Sequence, residues 1–293
     1  MHMKQLFVIL FLVLPFMVSG QKDTVIYFGP NGTLEPGTKR VIKKEISYRN
    51  KKNLRIKTIN LEENTEVLLF TERIKIKKPA IQHIRIKGKE FEEKLKRKFE
   101  KQPDGTYLFV DYQNDKIKRT GTTISMIPLL FHGKLMEYYD NGSRKSISVY
   151  ENNELVSNEN WTKDGEKYID NIFYSVEQEP RFKPGTDSLH HHVLETFRES
   201  GIDLSQVEGR MTVGFVVLED GTISGLQIEQ GIGRELNDMA FKALNTLPGE
   251  WLPAQLNGND VRYYQLFPIN FIYRQHDFHF LEMRGSVLYW QIN

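Results

Sequence analysis

Between Lys39 and Lys87 apolar and basic residues take turns along the chain, as in Glu72–Lys78 (ERIKIKK) and Gln82–Lys89 (QHIRIKGK). Ile74 and Ile76 share one face, as do Ile84 and Ile86, and the lysines and arginines share the other. A period of two belongs to a strand buried on one side, so this stretch specifies half-buried antiparallel strands. Asp23–Gly32 (DTVIYFGPNG) reads as a short strand closed by a Gly-Pro-Asn-Gly turn. Glu90–Gln102 (EFEEKLKRKFEKQ) breaks the pattern. Its Glu–Lys neighbours stand at helical spacing, so a short helix is expected there, ended by the turn Pro103-Asp104-Gly105. The basic residues invite a nucleic-acid reading. Stacking aromatics are not interleaved with them and acidic residues follow closely, so the expectation is a solvated strand face.

The chain has 293 residues and a net charge of only +2, which suggests about two domains and gives no general pull toward nucleic acid. Its start is distinctive. Lys4 precedes an apolar run from Leu6 to Val18, and Val18 and Gly20 are small enough for the −3 and −1 pockets of a signal peptidase. Residues 1–20 are therefore expected to be a secretory signal, because the run is short for a membrane span and Pro15 interrupts it. Cysteine is absent, which removes disulfides, thiol nucleophiles, Zn–Cys sites and lipoprotein acylation, and leans toward a bacterial envelope. N-x-S/T triplets start at Asn31, Asn141 and Asn160. The first two are N-G-T and N-G-S, better explained as turns.

Residues 21–172 are expected to form one β-rich region, clearest at 133–168. There an aromatic residue is followed by Asp-Asn-Gly or Lys-Asp-Gly, and Gly142 and Gly165 lie 23 positions apart. Such turns join tandem hairpins. The units resemble the MORN-like repeats of bacterial envelope proteins, which implies a flat β-meander serving as spacer or docking surface.

A different pattern starts after Glu179-Pro180. Thr186 or Asp187 can cap a helix whose apolar stripe is Leu189, Val193 and Phe197, closed by Gly201. His190, His191 and His192 point about 100° apart on such a helix, so they do not converge on a metal. Met211, Val213, Phe215 and Val217 alternate on a strand. Glu219-Asp220-Gly221 turns it, and Leu226 and Ile228 return on a second strand with a bulge expected near Gly225. A dinucleotide fold would need parallel strands and a glycine at 236, where Leu236 stands. Leu236, Met239, Ala240, Ala243, Leu244 and Leu247 form a second helical stripe ended by Pro248-Gly249. Val261–Tyr273 completes the order helix, strand, strand, helix, strand.

These residues resemble the TonB C-terminal domain, in the form common in Bacteroidetes envelope proteins. The matching pieces are Glu208-Gly209-Arg210, Val216 to Gly221, Gly231 to Arg234, Ala240, Leu247-Pro248, Trp251, Pro253, Asn257-Gly258 and Pro268-Ile269-Asn270-Phe271. Where the family has a Tyr-Pro pair after the first helix, this chain has Gly201–Ser205 (GIDLS). The resemblance implies an α+β domain over residues 173–275, with two helices on a three-stranded antiparallel sheet. It also implies a non-enzymatic role, in which a sheet edge takes an extended partner segment as an added strand. The recipient strand would be Val261–Tyr273, with Tyr263, Gln265, Phe267, Ile269 and Phe271 at the partner site. Alternatively, that strand only completes the core, or the tail 276–293, through Phe278–Tyr289, covers its edge. The expected partner is an envelope protein such as an outer-membrane transporter, with a homodimer or assembly scaffold as the alternative. No nucleic acid, cofactor, metal or catalytic residue is expected, since no G-x-S-x-G, H-E-x-x-H, P-loop or EF-hand pattern occurs.

Overall fold

A computed structural model of the chain describes residues 23–271 except 62–64, 90, 205 and 206. The expected secretory signal, Tyr273 and the tail segment 276–293 lie outside the described residues. Eleven strands follow one another in a single antiparallel meander. They are β1 (Thr24–Phe28), β2 (Ile42–Asn50), β3 (Asn53–Leu61), β4 (Glu66–Lys78), β5 (Ile81–Gly88), β6 (Glu92–Lys101), β7 (Tyr107–Gln113), β8 (Lys116–Met126), β9 (Leu129–Tyr138), β10 (Arg144–Glu151) and β11 (Glu154–Asn160). Asn114-Asp115 and Asn152-Asn153 close hairpins at positive φ, the conformation a two-residue turn requires.

Glu92–Lys101 is a strand, not the expected helix. Leu95, Arg97 and Phe99 point inward and their neighbours outward, a period of two disguised because one inward residue is charged. Glu92 bonds across strands to Arg85, at 2.9 and 2.8 Å, instead of along a helix.

The meander is not flat as expected. It curls until the turn after β1 meets β11. Asn31 donates its amide to the Leu155 carbonyl, and Asn153 donates to the Gly32 carbonyl at 2.8 Å. The concave side holds one apolar cluster around Ile46, Ile56, Phe70, Ile74 and Ile86, and another around Phe99, Phe109, Leu135 and Tyr150. Between them sits a buried charge group. Asp111, fully buried, accepts from Arg97 at 2.6 and 2.8 Å and from Arg119 at 2.8 Å. Burial pushes the Asp111 carboxyl upward, but the two guanidiniums outweigh it and hold it below its usual range.

A second unit follows. Its sheet runs in the order β12 (Ile172–Phe173), β18 (Asn259–Phe271), β14 (Gly209–Val217), β15 (Ile223–Gln230), and β17 (Ala254–Leu256) also pairs with β18. β13 (Arg181–Phe182) and β16 (Trp251–Leu252) form a separate pair. The expected three antiparallel strands are the centre, β15-β14-β18, and two short strands extend them. β12 pairs with β18 in parallel. The helices α1 (Thr186–Glu199) and α2 (Arg234–Asn245) share one core with a single face of this sheet: Leu189, Val193 and Phe197 from α1, Leu236, Ala240 and Leu244 from α2, Met211, Val213 and Phe215 from β14, and Phe267, Ile269 and Phe271 from β18. Gly185, not Thr186 or Asp187, is the cap residue of α1, and no side chain caps that helix. The bulge expected near Gly225 is present, where Gly225 has φ +63° and the β14–β15 register slips.

Asp111→Asn leaves two buried guanidiniums without their carboxylate, and is expected to lower unfolding free energy by about 3–5 kcal/mol in urea titration. Because the Asp111 pKa is lowered in the fold, its contribution is present above the unfolded carboxylate pKa and is lost as pH falls through the folded one. The gap between wild type and Asp111→Asn should therefore narrow on acidification. A gap that is independent of pH would contradict the assignment.

Candidate functional site

Two concave features and one sheet edge could serve a function. The first concavity lies inside the curled meander. Phe28, Ile56, Phe70, Lys44, Arg119 and Tyr174 contribute to its wall, and its free space is about 70 Å³. Burial lowers the Lys44 pKa, and its ammonium lies 5.7 Å from the centre of the Phe28 ring. That space admits a few waters and falls short of the several hundred Å³ typical of ligand sites.

The second is a groove of about 810 Å³ between the segment Gln178–Thr186 and Gln265 on β18. It adjoins the strand that the sequence nominated. Along one side β18 pairs with β14 from Tyr263 to Phe271. On its other side β12 takes Arg262 and Tyr263, and β17 pairs with Asn259–Val261 below the end of the β14 ladder. Among the described residues no strand pairs with that side at Leu266, Pro268 or Asn270. Pro268 fixes the orientation of the backbone. It has no N–H, and a central ladder position would lose a hydrogen bond there. Pro268 stands opposite Thr212 of β14, so the even-numbered residues are the ones whose backbone groups face away from β14. Gln265 partly shields this side, since its Nε2 donates to the Leu266 carbonyl at 2.9 Å.

The five nominated residues fall on one face, as expected, but that face is the core. Tyr263 and Phe267 are wholly buried, and Gln265, Ile269 and Phe271 nearly so. Phe267, Ile269 and Phe271 belong to the cluster beneath the helices, and Tyr263 packs with Val176, Ala254 and Leu256. A partner on this strand would meet its backbone and the even-numbered Leu266 and Asn270, not these side chains.

The opposite face of β18 packs against the segment that joins the two units. Tyr264 buries its ring beside Tyr174 at 5.9 Å between centroids, and its hydroxyl bonds Glu229 of β15. Gly214 makes room for it, because a Cβ there would lie 2.0 Å from the Tyr264 hydroxyl. Tyr168 donates to the Gly225 carbonyl across the same seam, and burial pushes its pKa up to about 12. Gly214 and Tyr264 were not singled out in the sequence. An unbranched gap opposite a tyrosine is visible only once the register is known.

The histidines have separate tasks. His192 Nε2 lies 3.1 Å from both the Ala243 carbonyl and the Thr246 hydroxyl, tying α1 to the end of α2. His190 lies 6.2 Å from the Phe267 ring, and burial lowers its pKa. No group of three or more His, Cys, Asp or Glu side chains among the described residues is placed to hold a metal. No helix among them is long and apolar enough to cross a membrane.

Residues 203–273 match the family described as Gram-negative bacterial TonB protein C-terminal. The match spans β14, β15, α2 and β18 and supports a TonB-type C-terminal domain over that stretch. It leaves out α1, which the core nevertheless requires. No curated protein and no solved structure matches the chain.

Gly214→Ala should cost about 1–3 kcal/mol by overpacking the seam against Tyr264. Tyr264→Phe combined with Gly214→Ala should recover part of that loss, measured by thermal melts. Equal melting of Gly214→Ala and wild type would show that the close approach is not constraining.

Proposed function

We propose that the chain is a non-enzymatic protein of a Gram-negative cell envelope, exported through its first twenty residues. Its C-terminal unit takes an extended segment of another protein as an added strand on β18. The observation that carries this is the side of β18 away from β14 at Leu266–Asn270, where no strand among the described residues pairs and Pro268 offers no donor; the groove beside it reaches β18 at Gln265. Backbone hydrogen bonds would supply the affinity, and the groove wall from Gln178 to Thr186 would select side chains. An outer-membrane transporter is the partner that the TonB-type match favours.

β15 is the competing edge, and it suits a partner less well. Its register against β14 slips twice, and the Gly225 carbonyl is already used by Tyr168. Bulged, occupied edges resist further pairing.

The test is a photocrosslinking residue at Asn270 of the full chain, with and without Leu266→Pro. An added proline at an even position removes an outward N–H and leaves the β14 ladder intact. Crosslinks should map to an extended transporter segment. The Leu266→Pro change should cut their yield about tenfold, the equivalent of one or two lost hydrogen bonds, with little shift in melting temperature. Crosslinks only to a second copy of the chain would favour the homodimeric scaffold instead. Yield insensitive to Leu266→Pro would sink strand addition.

A further inference from the structure

Residues 39–101 hold 21 of the chain's 40 lysines and arginines but only 9 of its 38 acids. Alternation alone makes this a solvated face. The strand register shows more. Arg55 of β3, Arg73 of β4, Arg85 of β5 and Lys94 of β6 stand directly opposite one another in a row across four strands. One step along, Lys75, His83 and Lys96 form a second row. All seven side chains are exposed on the convex side of the curled meander. Directly opposed residues have Cβ atoms about 5 Å apart, where like charges destabilise a sheet. Arg85 has Glu92 as a bidentate partner. No hydrogen bond or ion pair to the protein occurs at Arg55, Arg73, Lys75, Lys94 or Lys96 among the described residues. A fold that merely needed solubility would alternate signs along such rows, as natural surfaces do.

The border of this face is apolar. On β7 and β8, Leu108 is 38% exposed and Ile117 46%, both on the same convex side, Leu108 opposite Glu100 of β6 and Ile117 opposite Tyr112. Lys98 sits 5.0 Å from the Tyr112 ring centre. Cations bordered by exposed aliphatic side chains fit a bilayer surface, where phosphates meet the cations and the acyl boundary receives the apolar groups. A nucleic-acid surface would instead place aromatic side chains among the cations for stacking. Here Tyr112 stands at the border and the single ring within the two rows is the His83 imidazole.

We infer that the convex face of β3–β6 docks on a membrane surface rich in anionic phospholipid. The inference is independent of strand addition at β18, which lies in the other unit. Removal of one cation near an anionic bilayer lowers binding about fivefold, and reversal of its sign about thirtyfold. The experiment measures partition of the full chain onto phosphatidylcholine vesicles with and without phosphatidylglycerol, at low and high salt. Wild type should prefer the anionic vesicles, and salt should erase the preference. Arg73→Gln should lower the anionic preference about fivefold and Arg73→Glu about thirtyfold. Arg73→Glu places a carboxylate between Arg55 and Arg85, so it should raise the melting temperature while it weakens binding. That opposite pair of shifts separates docking from loss of fold. The inference is overturned if the two vesicle types bind equally, or if both Arg73 variants keep the wild-type preference. Tighter binding to duplex DNA than to the anionic vesicles, lost in the same variants, would overturn it in favour of a nucleic-acid surface.

Discussion

The side chain of Asn158 holds the two units together by imitating a strand. Its Nδ2 donates to the Ile172 carbonyl at 2.6 Å, and its Oδ1 accepts from the Ile172 N–H at 3.0 Å. Asn160 extends the clamp by donating to the Ile169 carbonyl at 2.9 Å. Ile172 is thereby fixed on the last strand of the meander while its backbone pairs with Arg262 of β18. The buried amide of Asn158 would be costly without both bonds, so the clamp holds one geometry only. Everything that distinguishes the candidate edge follows from it. β12 fills β18 at Arg262 and Tyr263, Tyr174 reaches Tyr264, and among the described residues no strand pairs with the outward side at Leu266–Asn270.

Much of this was legible in the sequence, and what was missed has physical causes. The strands from Lys39 to Lys87 and the stripes of α1 and α2 could be read because burial there is apolar on one side, which is what periodicity detects. β6 escaped because Arg97 occupies an inward position, and its counter-charge Asp111 lies on another strand. The curl of the meander escaped because it depends on Asn31 reaching the Leu155 carbonyl and Asn153 the Gly32 carbonyl, each across more than a hundred residues. On β18 the parity of Tyr263 to Phe271 was legible. That this parity faces the helices could not be known before α1 and α2 were placed over it.

One alternating pattern has two outcomes in the meander. The inward charges Arg97, Asp111 and Arg119 form a tight set in which each partner offsets the desolvation of the others, whereas Lys44 has its pKa lowered by burial. Outward charge on β3–β6 is left in rows of one sign. The sheet tolerates those rows because each exposed pair costs little in water, and the apolar clusters on the concave side outweigh them. The cost that a purely structural account leaves unexplained is thus small at each pair but repeated along two rows.

The second unit manages its edges in unequal ways, and the inequality is informative. An open strand edge invites indiscriminate pairing, so proteins cover it, bulge it or interrupt it. β15 is bulged at Gly225, and the Tyr168 hydroxyl bonds the carbonyl there. β18 is covered at Arg262 and Tyr263 by β12. At Leu266 to Asn270 the treatment is lighter: a missing donor at Pro268 and one carbonyl capped by Gln265. Both devices lower affinity for any passing strand without closing the edge. On the strand-addition reading proposed above, an incoming segment would forgo one hydrogen bond and displace another, so it would gain enough only if its side chains also filled the groove beside Gln178–Thr186. That combination would make a generic backbone edge selective.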